Sequence, residues 1–157
     1  MISPQAQSVK SWLEAYVREE EAIDAKLDKL RRIEARMLGV RAMEISDMPR
    51  AHSGETDRMA SMLIEKEKVE EDILSAIKKH DESRQAIETI VELLPHALWQ
   101  NVIELHYIDG MGWTEINGLC HGRMGDFDQK ADTYLRRIYR AHDYALESMA
   151  KNWNTAR

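Results

Sequence analysis

The residues of this chain best suited to chemistry lie close together near its C-terminal end: Gln129, Lys130, Thr133, Arg136, Arg137 and Arg140. On a helix, Gln129, Thr133, Arg136 and Arg140 fall on one face, flanked by Lys130, Arg137 and Tyr144. Leu135, Ile138, His142, Leu146, Met149 and Trp153 fall on the opposite face, the one expected to pack inward. A helix built this way can enter the major groove of DNA. Arginine reads guanine edges through paired hydrogen bonds, and arginine and lysine both neutralise phosphates. The plain alternative is a solvated charged face in which the arginines pair with Asp143 or Glu147.

Other chemistries find less support. The six histidines never meet Cys or Glu at metal-ligand spacing, and the adjacent Cys120-His121 stand alone. Asp126, Asp128 and Asp132 hint at a cation loop, but the calcium-loop spacing and its terminal Glu are absent. No Gly-rich phosphate loop follows a strand, and no Ser/His/Asp arrangement can be placed. The sequence therefore predicts no catalytic residues, no cofactor and no metal. His142, on the packing face, reads as a core histidine with its hydrogen bonds satisfied.

The elements that must position the arginines are helices. Ser3-Pro4 is a helix start, with serine as the cap and proline at the first helical position. Val9, Leu13, Tyr16, Ile23, Leu27, Leu30 and Met37 then alternate steps of three and four, with Glu20 and Glu34 on the remaining seam positions. That is a heptad with two polar interruptions. Gly39 is expected to end this helix, and residues 39–56 to form a loop with a short turn at Val40–Ile45. A second helix from near Thr56 to Leu94 continues the rhythm through Met59, Met62, Lys66, Val69, Ile73, Ala76, His80, Ser83, Ile87 and Ile90. Residues 1–94 thus predict a long antiparallel helical hairpin, a coiled coil, paired within one chain or across a dimer.

Pro95 marks the boundary of a second domain, 95–157, where glycines cluster and helices shorten. A first helix is expected over His96–Ile108, stopped by Asp109-Gly110. Trp113–Leu119 follows with Thr114 as its cap, then a turn at His121–Gly125 and a last helix from Asp128 to Trp153. Trp113, Ile116, Leu119 and Ile138 are the expected core, with Trp113 largely buried.

Composition agrees with an all-α fold. Seven Gly and three Pro are too few for a sandwich or barrel. The net charge of −6 is concentrated in the hairpin. Residues 134–157 carry Arg136, Arg137, Arg140, Lys151 and Arg157 against only Asp143 and Glu147. No apolar run approaches the roughly 20 residues that span a bilayer, so no membrane partner is expected. The single cysteine, Cys120, cannot form an internal disulfide and fits a reducing cytoplasm as a small buried side chain.

Residues 94–120, LPHALWQNVIELHYIDGMGWTEINGLC, resemble the first half of region 4 of sigma-70-class factors. The resemblance is carried by the Tyr107-Ile108-Asp109-Gly110 turn and the Trp113-Thr114-Glu115-Ile116 helix opening. IYRAHDYALESM at 138–149 is similar to the closing helix of phage late-gene transcription regulators of the RinA and ArpU kind. Those proteins also place a long helical region before the sigma-like domain. The resemblance implies a C-terminal helix-turn-helix that binds double-stranded DNA at a promoter, in a bacterial host cell, with RNA polymerase as a further partner. It also implies a homodimer or higher homo-oligomer addressing half-sites one helical turn apart. The stretch from Ile116 to Thr133 is longer than in the sigma-like motif, so either the turn is enlarged or the recognition helix starts earlier. Two other readings compete: a small terminase-like DNA-packaging protein, and a protein-binding adaptor that no longer touches DNA.

Overall fold

A computed structural model describes residues 1–46 and 53–154, with side chains described over 1–43 and 57–154. The chain is all-α: α1 is Pro4–Ser46, α2 Ser53–Glu92, α3 Ala97–Ile103, α4 Trp113–His121 and α5 Phe127–Asn152. A π-helical turn, Glu104–Ile108, continues directly from α3. No strand occurs among the described residues. Two compact units divide the chain: residues 19–80, and residues 1–18 with 81–157. The expected boundary at Pro95 is therefore not where the compact units separate, because both long helices contribute to both units.

The 19–80 unit is a helical hairpin closed within one chain. Ile33, Met37, Val69 and Ile73 are buried, with Leu27, Leu30, Met59 and Met62 packed against them. Contacts across the hairpin set an antiparallel register: ion pairs join Arg36 to Glu65 at 4.0 Å and Lys66 to Glu34 at 3.9 Å, and His80 Nδ1 lies 3.5 Å from Glu19 Oε2. The expected seam shifts by one residue at Glu34. Ile33 is fully buried in its place, and the Glu34 carboxylate sits at the edge against Lys66. Burying a lone carboxylate would be far more costly than this rotation of the stripe.

Gly39 does not end α1. The helix runs through it to Ser46, and the expected turn at Val40–Ile45 is part of α1. A glycine inside a helix costs about 1 kcal/mol relative to alanine, which flanking helix formers offset. Of the loop expected over 39–56, residues 47–52, Pro49 among them, lie outside the described residues.

The second unit has two linked cores. In the larger, Ala6, Val9, Leu13 and Tyr16 of α1 are buried with Ile87, Ile90, Val91 and Leu94, with Ile103 and Tyr107, and with Ala145, Leu146 and Met149 of α5. Ser3 caps α1 as expected: its Oγ accepts from the Ala6 N–H at 3.1 Å. In the smaller core, Val102, Ile116, Ile138 and Ala141 join α3, α4 and α5. Trp113 is only half-buried there, and Leu119 is 61% exposed rather than in the core. With nine residues, α4 offers too few turns for periodicity to fix which side faces in. Cys120 is a half-buried free thiol packed against this core.

Candidate nucleic-acid interface

The elements before α5 are held by unusual backbone. The helix expected over His96–Ile108 widens at Glu104–Ile108, where the Asp109 N–H bonds the Glu104 carbonyl at 3.0 Å, five residues back. Gly110 then takes φ +71°, a left-handed conformation that glycine adopts without strain. Gly112, not Thr114, caps α4, and the Glu115 carboxylate accepts from the Gly112 N–H at 3.4 Å. Thr114 is an exposed residue of the first turn.

This geometry assembles an aromatic cluster. His106 donates from Nδ1 to the Met111 carbonyl at 2.9 Å and stacks on Trp113 with ring centroids 3.8 Å apart. Tyr107 and His142 Nε2 lie 2.8 Å apart. Burial raises the Tyr107 phenol far above its ordinary range, so it keeps its proton and donates it to His142. Burial also lowers the His142 imidazole, whose Nδ1 faces Asp143 Oδ1 at 3.5 Å. The expected core histidine is buried and satisfied.

The turn between α4 and α5 covers 122–126, and one side of it is locked. Asn117 is buried and donates to the Ala131 carbonyl at 3.1 Å. Its Oδ1 can only accept, so His121, 3.1 Å away, carries its proton on Nδ1. The His121 ring stacks on Tyr134 at 4.8 Å. Tyr134 in turn donates to Asp126 Oδ1 at 2.6 Å, and Lys130 Nζ lies 3.2 Å from Asp126 Oδ2. These partners depress the Asp126 carboxyl, the Tyr134 hydrogen bond most. His121 is lowered by burial first and by Arg137 second. Between these two walls, Lys130 leaves the helical region (φ −122°, ψ 22°). Phe127–Gln129 is therefore a separate turn, and the continuous helix begins after the kink.

All six predicted contact residues are exposed. Thr133, Arg136 and Arg140 share one stripe of the continuous helix. Gln129 precedes the kink, and Lys130 stands at it, paired with Asp126. Arg137 lies to the side with its guanidinium 5.1 Å from the Tyr134 ring centre. Two carboxylates near the stripe, Asp143 and Glu147, are engaged elsewhere. Glu147 accepts from Ser3, and Asp143 faces His142. Among the described residues, neither Arg136 nor Arg140 has a carboxylate at ion-pair distance. Asp132, also exposed, borders the stripe. Arg123 is a further exposed cation, on the turn between α4 and α5, and its only signal in the sequence is its place between two helices.

A surface groove of about 720 Å³ in the same unit is lined by Lys10, Arg18, His106, Trp113, Tyr139 and Asp143, among others. Among the described residues no group of three or more His, Cys, Asp or Glu converges as a metal site, and no helix is long and apolar enough to cross a membrane. No protein-family model, curated protein or solved structure matches this chain.

Proposed function

We propose that the protein is a sequence-specific DNA-binding transcriptional regulator of phage or prophage type. Its α5 reads the major groove, two copies address paired half-sites, and host RNA polymerase is a partner at the promoter. One observation carries this reading: Thr133, Arg136 and Arg140 form an exposed, unpaired donor stripe on a continuous helix whose start is pinned by Asn117, His121, Tyr134 and Asp126. Preorganised, unneutralised arginines on a packed helix suit both base edges and phosphates. The resemblance of residues 94–149 to sigma-like regulators supports the same reading. The test is a salt titration of binding to fragments of the surrounding genome, comparing the parent with Arg136→Ala and Arg140→Ala. Indistinguishable curves would remove the assignment.

A protein-binding adaptor is the second reading. Leu119 is 61% exposed and Met124 49%, and Leu119 lines a groove of about 400 Å³ with Leu98, Asn101, Leu105 and Cys120. Apolar surface of this kind suits a protein partner. Failure to bind any duplex at low salt would favour it.

A further inference from the structure

Asp132 is a carboxylate that the fold leaves unused. On the continuous part of α5, Asp143 faces His142 and Glu147 accepts from Ser3. Among the described residues, no cation lies at ion-pair distance from Asp132. It is exposed, as is Arg136 one turn further on. Its place is set from beneath: Asn117 holds the Ala131 carbonyl at 3.1 Å, and the kink at Lys130 marks where the continuous helix begins. Asp132 therefore stands in the first turn, beside Thr133, at the leading end of the donor stripe. A first-turn carboxylate gains from the helix dipole, and it does so with both oxygens still free to accept.

What such a group does in a major groove follows from the base edges. A carboxylate only accepts, so guanine O6 and N7 and thymine O4 repel it. Adenine offers its N6 amino group with the N7 acceptor beside it. Cytosine N4 is the one amino donor in that groove with no acceptor on the same base. Arg136 has the opposite preference, a paired contact to guanine O6 and N7. Asp132 and Arg136 are about 6 Å apart along the helix, less than two base-pair steps of about 3.4 Å. Arg140 lies about 12 Å beyond Asp132, roughly the full width of the major groove. A helix that enters by its leading end puts Asp132 and Arg136 over bases and Arg140 against phosphate.

We infer that Asp132 is a specificity-determining residue that selects a cytosine within about two base pairs of the guanine read by Arg136. The inference rests on the DNA-binding reading above and adds to it the base content of the site. The same carboxylate repels phosphates, so it lowers affinity for other sequences while gaining at one position. The experiment selects binding sites for the full chain from a pool of random duplexes, and repeats the selection with Asp132→Asn and Asp132→Glu. The parent should return a fixed guanine with a fixed cytosine close by. Asp132→Asn should exchange that cytosine for adenine, because an amide pairs with adenine N6 and N7 together, and should leave the guanine in place. Asp132→Glu should keep the cytosine, since it keeps the charge and the acceptors. On single duplexes, replacing the cytosine should cost the parent about 5- to 150-fold in affinity. A carboxylate serving only the helix dipole would leave every selected base unchanged. An Asp132→Asn site that keeps the cytosine, an Asp132→Glu site that loses it, or a parent site without it overturns the inference and leaves the DNA-binding reading standing. A parent that selects no sequence overturns both. Where Asp132→Asn does not fold, the parent decides alone: no loss on a duplex whose cytosine lacks its N4 amino group overturns the inference.

Discussion

The Ser3 amide and hydroxyl both donate to the Glu147 carboxylate, at 2.6 and 2.8 Å, joining the first residues of α1 to α5 across 144 positions of sequence. The apolar contacts beneath agree, since Ala145, Leu146 and Met149 are buried in the same core as Ala6, Val9 and Leu13. The helix that presents the arginines is thus supported by the beginning of the chain. A fragment of residues 95–157 should lack a cooperative thermal melt, because that face of α5 would be left in water. In the full chain, Leu13→Ala should cost about 2–5 kcal/mol, and Ser3→Ala about 1 kcal/mol through its cap alone. Circular dichroism melts check all three. A fragment that melts like the full chain would show that residues 1–18 contribute nothing to α5.

Acid should weaken the fold in two stages with different causes. His121 and His142 are both lowered by burial, so the unfolded chain takes up their protons first. Their contribution is complete above the unfolded histidine value and falls as pH drops from about 7 towards 5. Glu147 is depressed chiefly by the Ser3 backbone hydrogen bond, and Asp126 chiefly by the Tyr134 hydroxyl. Their contribution is complete above the unfolded carboxylate values near about 4 and is lost below them. Melting temperatures measured across this range should decline in the first window for the parent and less steeply for His142→Gln. A parent melting temperature constant between about pH 7 and 5 would contradict the histidine assignment.

Ile116 and Leu119 sit three residues apart on α4 and should behave oppositely. Ile116 is fully buried and Leu119 is 61% exposed. Ile116→Ala is expected to cost about 2–5 kcal/mol, and Leu119→Ala to stay within about 0.5 kcal/mol. Denaturant unfolding of both variants checks this. Equal losses would mean that α4 is rotated about its axis from the orientation described here.

These two residues also show what sequence can and cannot reveal. Over the long helices, many repeats of three and four fixed the buried stripe, so Val9, Leu13, Ile73 and Ile87 were all legible. Glu34 was misread because a strict heptad ignores side-chain chemistry, and the neighbouring Ile33 is the better core residue. Gly39 was misread because its weak helix preference yields to a helix already formed on both sides. In the short helices, hydrogen bonds rather than periodicity decide the arrangement. The π-helical turn at Glu104–Ile108 leaves no pattern in residue types. The lock of Asn117, His121, Tyr134 and Asp126 depends on rotamers of residues up to 17 positions apart. The arginine stripe was legible because it needs only helical geometry. That Arg137 leans on Tyr134 and Lys130 on Asp126 was not.

That distinction sorts the proposed DNA contacts. Arg136 and Arg140 project from the continuous helix without carboxylate partners, whereas Arg137 and Lys130 already have roles in the fold. Arg136→Ala and Arg140→Ala should therefore weaken DNA binding while leaving the melting temperature unchanged. A residue that contacts only phosphate should lower the salt slope by about 1, evenly across sequences. One that reads a base should relax preference at a single position, at a cost of about 1–3 kcal/mol there. Arg137→Ala should differ in kind. It removes a cation from the Tyr134 ring and from beside His121, so it should lower the melting temperature and shift binding to all sequences together. With a net charge of −6 and Asp132 beside the stripe, nonspecific affinity should be weak. Salt titrations on a selected fragment and on an unrelated duplex, run beside thermal melts of the three variants, separate these effects. If Arg137→Ala leaves stability unchanged and loses as much binding as Arg136→Ala, the ring contact is incidental and Arg137 belongs with the reading residues.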